Sequence, residues 1–215
     1  MSQKQIFFIR HGETDWNRNG LIQGQRESSL SSHGFEQSSL LAHRLKKEEI
    51  QIIYSSPLKR AKQTSDEIKK IINAEIILDD DLMEISLGSW EGLNKEKVRS
   101  EYPLAFEKWL KKPEEFKAPC GESWQDVKNR ADNFLERIIT RSQYERILLS
   151  SHNGFGKIFM ITFLEMSLAK FWNFSLDNGG VSLFVLHDNG RREIALLNDC
   201  CHLEKINAFK NMGTL

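Results

Sequence analysis

The chain has 215 residues, and its 30 basic and 30 acidic side chains cancel to a formal net charge of zero. This balance argues against a nucleic-acid-binding protein, although a local positive pocket is still compatible with it. With three cysteines, no signal peptide, no zinc-type spacing and no membrane-length apolar run, we expect a cytoplasmic protein without a membrane partner.

The first predicted element is a strand at residues 6–9, where four consecutive apolar residues indicate burial on both faces. It ends in Arg10 and His11, which it brings to its C-terminal end. In open α/β sheets this edge is where ligands bind. Gly12 allows the backbone to turn sharply there. The sequence therefore predicts a ligand site, and a histidine that only satisfies a backbone carbonyl is the alternative.

The following segment contains Asn17 and Gln23, and its glycines and asparagines are typical of an ordered loop. A helix is predicted after it, with Ser31 as its N-cap and an end near residue 49. Three residues are predicted to form its buried face: Phe35, Ala42 and Leu45.

The next predicted strand, at residues 51–54, leads directly into Ser56 and Pro57. Ser56 is a favourable N-cap and Pro57 suits the first helical position, so a helix is predicted to begin here. Arg60 then lies in the first turn, at the C-terminal edge of the sheet. A helix N-terminus attracts anions, and an arginine adds a bidentate donor for phosphate. A solvated surface arginine is the alternative.

A short strand is predicted at residues 75–78, followed by three aspartates at 79–81. The aspartates lack the alternating spacing of a calcium loop and are predicted to form a solvated turn. Glu84 lies between two apolar residues, and the apolar surroundings that this predicts suit a carboxyl group that donates a proton. Residues 93–119 are predicted to form a charged helical cap insertion. Four aromatic residues of this insertion are expected to pack on the body: Tyr102, Phe106, Trp109 and Phe116.

In the second half, Ser123 and Asp126 predict a helix that begins with a capping box. The strand at residues 146–151 ends in His152 and Asn153, which repeats the arrangement of the first strand. Two further strands follow, joined by an Asp-Asn-Gly turn that is typical of a hairpin. The role of His202, in a C-terminal tail that could fold back towards the pocket, stays open.

The order of these elements predicts one domain over residues 1–215, with the cap insertion at about 93–119. We expect a three-layer α/β/α architecture with a mostly parallel sheet and an antiparallel edge strand.

Four motifs together resemble the histidine phosphatase (phosphoglycerate mutase-like) superfamily. They are Arg-His-Gly-Glu-Thr from Arg10, Ser-Ser-x-Leu-x-Arg-Ala-x-x-Thr from Ser55, Leu-x-Glu-x-x-x-Gly-x-Trp-Glu-Gly from Leu82, and the Ser-His pair at residues 151–152. Asn153 departs from the glycine that is usual after this pair, although asparagine tolerates left-handed backbone angles well. The resemblance implies the phosphoglycerate mutase-like fold.

The resemblance also implies how the site works. His11 would attack phosphorus and become phosphohistidine, and Glu84 would protonate the leaving group. Three residues would hold the phosphoryl group: Arg10, Arg60 and His152. Further candidate substrate contacts are Asn17, Gln23 and Asn153. Because arginines can compensate the phosphoryl charge in place of magnesium, neither a metal nor a cofactor is expected.

Within the superfamily, the short segment after the acid motif favours a phosphatase over a phosphoglycerate mutase. The motif spacing is similar to that of metal-independent phosphoserine phosphatases and α-ribazole phosphatases. We therefore predict a hydrolase acting on a small phosphorylated metabolite, as a monomer or homodimer. A non-catalytic scaffold that binds phosphorylated ligands is the alternative from another class, and Glu84 argues against it because binding alone needs no proton donor.

Overall fold

A six-stranded sheet forms the centre of the computed structural model, which describes residues 3–207. The strands are β1 (Lys4–Arg10), β2 (Ile52–Ser55), β3 (Glu75–Leu78), β4 (Arg146–Ser151), β5 (Val181–Leu186) and β6 (Arg192–Asp199). Their spatial order is β3-β2-β4-β1-β5-β6. The strands β1 to β4 run parallel, whereas β5 is antiparallel to both β1 and β6. The predicted, mostly parallel sheet with an antiparallel edge is confirmed.

The described part of the chain contains eight α-helices. They are α1 (Asp15–Arg18), α2 (Ser32–Leu45), α3 (Lys59–Lys69), α4 (Lys95–Glu101), α5 (Pro103–Lys111), α6 (Trp124–Thr140), α7 (Asn153–Phe163) and α8 (Glu204–Asn207). Within residues 3–207, no helix combines the length and the apolar character that crossing a membrane requires.

Strand β1 shows why the sheet is covered on both faces. Ile6 and Phe8 belong to one core cluster, which also contains the buried residues of α6 and α7. Phe7 and Ile9 belong to a second cluster, which is formed with α2 and α3. Because successive side chains of a strand point to opposite faces, four apolar residues in a row supply both clusters. The helices therefore form two layers around the sheet, and the α/β/α prediction is confirmed.

Three predictions about the helices are wrong. Helix α2 ends at Leu45 and not near residue 49. Phe35 is 38% exposed, because the buried face of α2 runs through Gly34, Leu41 and Leu45, and Phe35 lies one residue outside this row. Ser56 is not the N-cap of α3, which begins at Lys59 after Leu58 without a side-chain cap. Ser56 is instead engaged by a side chain from another strand end, described below.

The aromatic residues predicted on the segment 93–119 surround one buried ring. This segment contains α4, α5 and a 3₁₀ turn at Pro113–Glu115. The centroids of four of its rings lie 5.2–6.4 Å from that of Trp90. These are the rings of Tyr102, Phe106, Trp109 and Phe116. Packing at this distance anchors the two helices on the rest of the molecule.

Candidate active site

Parallel strands bring several polar residues to one edge of the sheet. Strand β4 lies between β1 and β2, so the three C-terminal ends are neighbours. His11 follows β1 and His152 follows β4, and the centroids of their rings lie 5.2 Å apart. Both are buried. The two histidines that the sequence placed at strand ends are therefore brought together.

The hydrogen bonds of His11 fix which ring nitrogen is free. Its Nδ1 lies 2.8 Å from the carbonyl oxygen of Gly12. Because a carbonyl can only accept, Nδ1 carries the proton and donates it. The lone pair of the neutral ring is then on Nε2. A backbone carbonyl is satisfied by this histidine, as the alternative interpretation required, and Nε2 on the opposite side of the ring keeps an unprotonated lone pair.

The loop that follows His11 packs so closely against α2 that neither Gly12 nor Gly34 has space for a side chain. The N–H of Gly12 donates to Oγ1 of Thr64 at 3.1 Å. A Cβ placed on Gly12 would lie 2.5 Å from the carbonyl oxygen of Gly34, and one on Gly34 would overlap the carbonyl oxygen of Glu13. The first turn of α2 therefore packs backbone to backbone against the loop, which only glycine allows at both positions.

His152 is held by Arg60 and Ser56. The Nε of Arg60 donates to Nδ1 of His152 at 3.2 Å, so the proton of the neutral imidazole is on Nε2. This nitrogen lies 2.8 Å from Oγ of Ser56, to which it donates. The same guanidinium donates to the carbonyl oxygens of Gly24 and Arg26, at 2.6 and 2.9 Å. Arg60 thus ties the loop after α1 to the strand edge.

Burial and the nearby arginine charges keep both histidines neutral. Burial, and then the positive charges of Arg60 and Arg10, lower the pKa of His11 well below its ordinary value. Burial, and then the Arg60 charge, likewise lower the pKa of His152. Burial also lowers the pKa of Arg60 to about 10, which leaves it protonated at neutral pH. The edge therefore combines unprotonated imidazoles with a buried cation, an arrangement that attracts an anion.

Arg10 is half-buried beside this pair of histidines. Its Nη1 donates to the carbonyl oxygen of Leu176 at 2.6 Å, while its buried Nε has no hydrogen-bond partner among the described residues. Burial lowers the pKa of Arg10, and the negative charge of Glu84 opposes this effect. The same carboxylate acts on Arg60. Glu84 therefore lies within electrostatic range of both arginines.

The surroundings of Glu84 are polar, and the prediction of apolar surroundings is wrong. Oε1 accepts the N–H groups of Ile85 and Phe155 at 3.0 and 2.9 Å, and Oε2 accepts the N–H of Gly154 at 2.9 Å. The carboxylate thus sits at the N-terminus of α7, where free N–H groups favour a negative group. Its sequence neighbours do not form its environment, because tertiary packing brings another helix to it.

The polar residues of the first loop mainly hold one another. Oδ1 of Asn17 accepts the backbone N–H of Thr14 at 3.1 Å, which makes Asn17 part of a capping box. Oε1 of Gln23 accepts the hydroxyl protons of Thr14 and Ser28. In both residues the side-chain NH₂ group is the remaining donor. Asn153 is the first residue of α7, and its buried Oδ1 has no partner among the described residues.

Sequence reasoning missed Lys157 and gave no role to Asn178. Lys157 is the one charged side chain of α7, whose other residues are apolar or small polar ones, and it is only 5% exposed. This contrast was the available signal. Nδ2 of Asn178 donates to the carbonyl oxygen of His11 at 2.8 Å and so helps to hold the loop that follows β1. His202 is half-buried, and residues 208–215 of the predicted tail lie outside the described part of the chain.

Three other acidic residues, Asp79, Asp81 and Glu91, are engaged by other parts of the protein. Asp79 and Asp81 both bind Arg137, so the predicted solvated turn is in fact pinned to α6. The carboxylate of Glu91 accepts the N–H groups of Gln25 and Leu87, at 3.0 and 2.9 Å. Among residues 3–207, no three His, Cys, Asp or Glu side chains are grouped so that they could hold a metal ion.

Comparison with known proteins agrees with this geometry. "Phosphoserine phosphatase 1" of Hydrogenobacter thermophilus is 38% identical over 200 residues, covering 93% of this chain and 94% of the relative. "Metal-independent phosphoserine phosphatase" of Arabidopsis thaliana is 34% identical, covering 94% of this chain and 84% of the relative. The solved structure of Bacillus stearothermophilus YhfR superimposes with a TM-score of 0.88 at 30% identity, covering 94% of this chain and 100% of that one.

The match to a family profile and the positions of the two strand-end histidines support the same family assignment. The profile described as histidine phosphatase superfamily (branch 1) matches residues 6–200, which includes every predicted site residue. The expected phosphatase resemblance is confirmed by these comparisons, and the chain belongs to the histidine phosphatase superfamily, as a phosphatase.

Proposed function

We propose that this phosphatase hydrolyses a small phosphorylated hydroxy acid, with phosphoserine as the first candidate, through a phosphohistidine at His11 and without a metal ion. The observation that carries the proposal is the free Nε2 lone pair of a neutral, buried His11, within 5.2 Å (ring to ring) of His152 and under the charge of two arginines. Phosphoryl transfer depends mainly on positioning and on compensating the charge of the equatorial oxygens.

In the first step, Nε2 of His11 attacks phosphorus as the ester P–O bond breaks. The electron pair of that bond goes to the leaving oxygen, which takes a proton from Glu84. Arg10 and Arg60 compensate the negative charge of the phosphoryl oxygens during the transfer. Because Oε2 of Glu84 accepts one N–H while Oε1 accepts two, we assign the transferred proton to Oε2.

In the second step, Glu84 takes a proton from water as the water oxygen attacks phosphorus. The N–P bond breaks, its electron pair returns to Nε2, and inorganic phosphate leaves. His152 completes the phosphate site, held in place by Arg60 and Ser56. We assign the remaining phosphate contacts to the side-chain NH₂ groups of Asn17, Gln23 and Asn153.

The candidate substrate comes from the relatives. Two of them are named as phosphoserine phosphatases, and the bacterial one matches nearly the whole chain at 38% identity. We also propose a cytoplasmic location, which the free state of all three cysteines supports.

The test is to trap the covalent intermediate. Wild-type protein quenched during turnover of radiolabelled phosphoserine should carry acid-labile, base-stable phosphate. His11→Ala should carry none, and its turnover should fall by at least about 10³-fold, since a covalent catalyst cannot be replaced by binding alone. The matched control is His43→Ala, because this histidine is exposed on α2.

Three outcomes would contradict the proposal. Full turnover by His11→Ala would exclude it as the nucleophile. Transfer of phosphate to another position of the substrate, with no inorganic phosphate released, would indicate a mutase. Binding of phosphoserine without any turnover would indicate the scaffold alternative.

A further inference from the structure

Lys157 is a buried cation in a helix that is otherwise without charge. It lies in the second turn of α7 and is only 5% exposed. Removing an ammonium group from water is costly, so buried lysines are normally paired with an acid. Within residues 3–207, Lys157 belongs to none of the salt bridges, although the charge of Glu84 acts on it from a greater distance.

Two aromatic rings lie beside the ammonium group instead. Its Nζ lies 5.0 Å from the ring centroid of Phe171 and 4.6 Å from that of Trp172. Such cation–π contacts hold a cation in place but offer no hydrogen-bond acceptor to its three N–H donors. The lysine is therefore oriented by the protein and is left with hydrogen-bonding capacity.

The position of Lys157 relates it to the leaving group. It is three residues after Gly154, so both lie on the same side of α7. The N–H of Gly154 holds Oε2 of Glu84 at 2.9 Å. The ring of Trp124 touches Gly154 and packs on Phe171 with centroids 4.0 Å apart. A chain of contacts through Gly154, Trp124 and Phe171 thus connects the proposed proton donor to Lys157.

We propose that Lys157 binds a carboxylate of the substrate's leaving group and so selects phosphorylated hydroxy acids over neutral phosphate esters. The inference rests on the proposed function, because it places the leaving group beside Glu84. A carboxylate bound here supplies the acceptor that the protein does not, and a charge-assisted hydrogen bond in a buried site is a strong specificity contact.

The charges around Lys157 support this role. Burial is the main cause that lowers the pKa of Lys157 to about 8; the positive charges of Arg10 and Lys95 act in the same direction, and the negative charge of Glu84 opposes them. These three residues lie on β1, on α4 and before the 3₁₀ turn at Gly88–Trp90. Around Lys157, the positive charges of Arg10 and Lys95 are therefore opposed by one carboxylate, and a bound anion relieves the repulsion between the cations.

The experiment compares L-phosphoserine with O-phosphoethanolamine, which has the same phosphate and ammonium groups but no carboxylate. In Lys157→Met the ratio of kcat/KM for phosphoserine to kcat/KM for phosphoethanolamine should fall roughly 10- to 100-fold, mainly through KM. Lys157→Arg should restore most of the ratio. The matched control is Lys170→Met, which removes the same charge from an exposed position close by and should keep the wild-type ratio.

A second measurement tests the proposal without Lys157→Met, in case this variant does not fold. In the wild type, the same ratio should decline above about pH 8 as Lys157 loses its proton, and in Lys157→Arg it should not. Equal losses for both esters, or a ratio that is independent of pH in both proteins, would overturn the proposal. Absence of phosphohistidine in the wild type with either ester would instead contradict the proposed function. The role of Lys157 would then be decided separately, by measuring the binding of the two esters to the wild-type protein by calorimetry.

Discussion

Replacing Glu84 by glutamine should separate its chemical role from its structural one. The carboxylate accepts three backbone N–H groups, two on Oε1 and one on Oε2. A glutamine can place its oxygen at the Oε1 position and keep two of these bonds. Its NH₂ group then faces the N–H of Gly154. Because both groups are donors, the N–H of Gly154 loses its hydrogen-bond acceptor. Glutamine is therefore not neutral here, and it cannot give up an acidic proton.

Both losses can be given a magnitude. An unsatisfied buried N–H costs about 1–3 kcal/mol, so the free energy of unfolding should fall by this amount. Loss of the general acid typically costs ~10²- to 10⁴-fold in the step that it assists. An alkoxide leaving group needs that proton, whereas nitrophenolate departs readily without it. Phosphohistidine formation from phosphoserine should therefore fall within this range, and formation from nitrophenyl phosphate should fall much less.

The assay must isolate the first step. Steady-state turnover would mix the two roles of Glu84, because the proposed second step also uses it. A single-turnover burst with each substrate measures phosphohistidine formation directly. The matched control is Glu91→Gln, since the carboxylate of Glu91 also accepts two backbone N–H groups but has no proposed chemical role. Equal losses with both leaving groups in Glu84→Gln would refute the assignment of Glu84 as the acid.

Two further predictions concern metal ions and pH. Turnover should survive exhaustive chelation, because arginines supply the positive charge; loss of activity that magnesium restores would contradict this mechanism. The free energy of unfolding should decrease as the pH falls below about 6.5, because His11 and His152 bind protons in the unfolded chain but have lowered pKa values in the folded one. Each contributes up to about 1.4 kcal/mol per pH unit. The free energy of unfolding is measured by urea titration at pH 7.5 and 5.5. Its decrease between these two pH values should be smaller in His11→Ala by about the contribution of one histidine, and an unchanged decrease would contradict the burial argument.

Local signals in the sequence predicted most of the scaffold. The strand boundaries at residues 75–78 and 146–151 agree with β3 and β4, since short apolar runs are bounded by polar residues there. The caps at Ser31 and Ser123 are also confirmed, because a cap bonds to a backbone N–H only three residues away. Contacts of such short range can be recognised from residue spacing alone.

Features that depend on distant elements were not predictable in this way. The environment of Glu84 is the N-terminus of α7, about 70 residues later in the chain. Ser56 was predicted as a helix cap, yet its hydroxyl is taken by His152 from another strand. The two aromatic rings beside the ammonium group of Lys157 likewise come from a later segment of the chain. In each case, the partner is chosen by the three-dimensional packing and not by neighbouring residues.

The direct contact between Gly12 and Gly34 has a consequence for the movements during the proposed reaction. The carbonyl that holds Nδ1 of His11 belongs to a residue wedged against the first turn of α2. The hydrogen bond to this fixed carbonyl therefore holds the imidazole in position when its other nitrogen forms a bond. During the displacement, the phosphorus atom must cross the gap towards a stationary ring. A structure of the phosphorylated protein should accordingly superimpose on the unmodified one at this loop, and the change in geometry should be confined to the phosphoryl group and the departing alcohol.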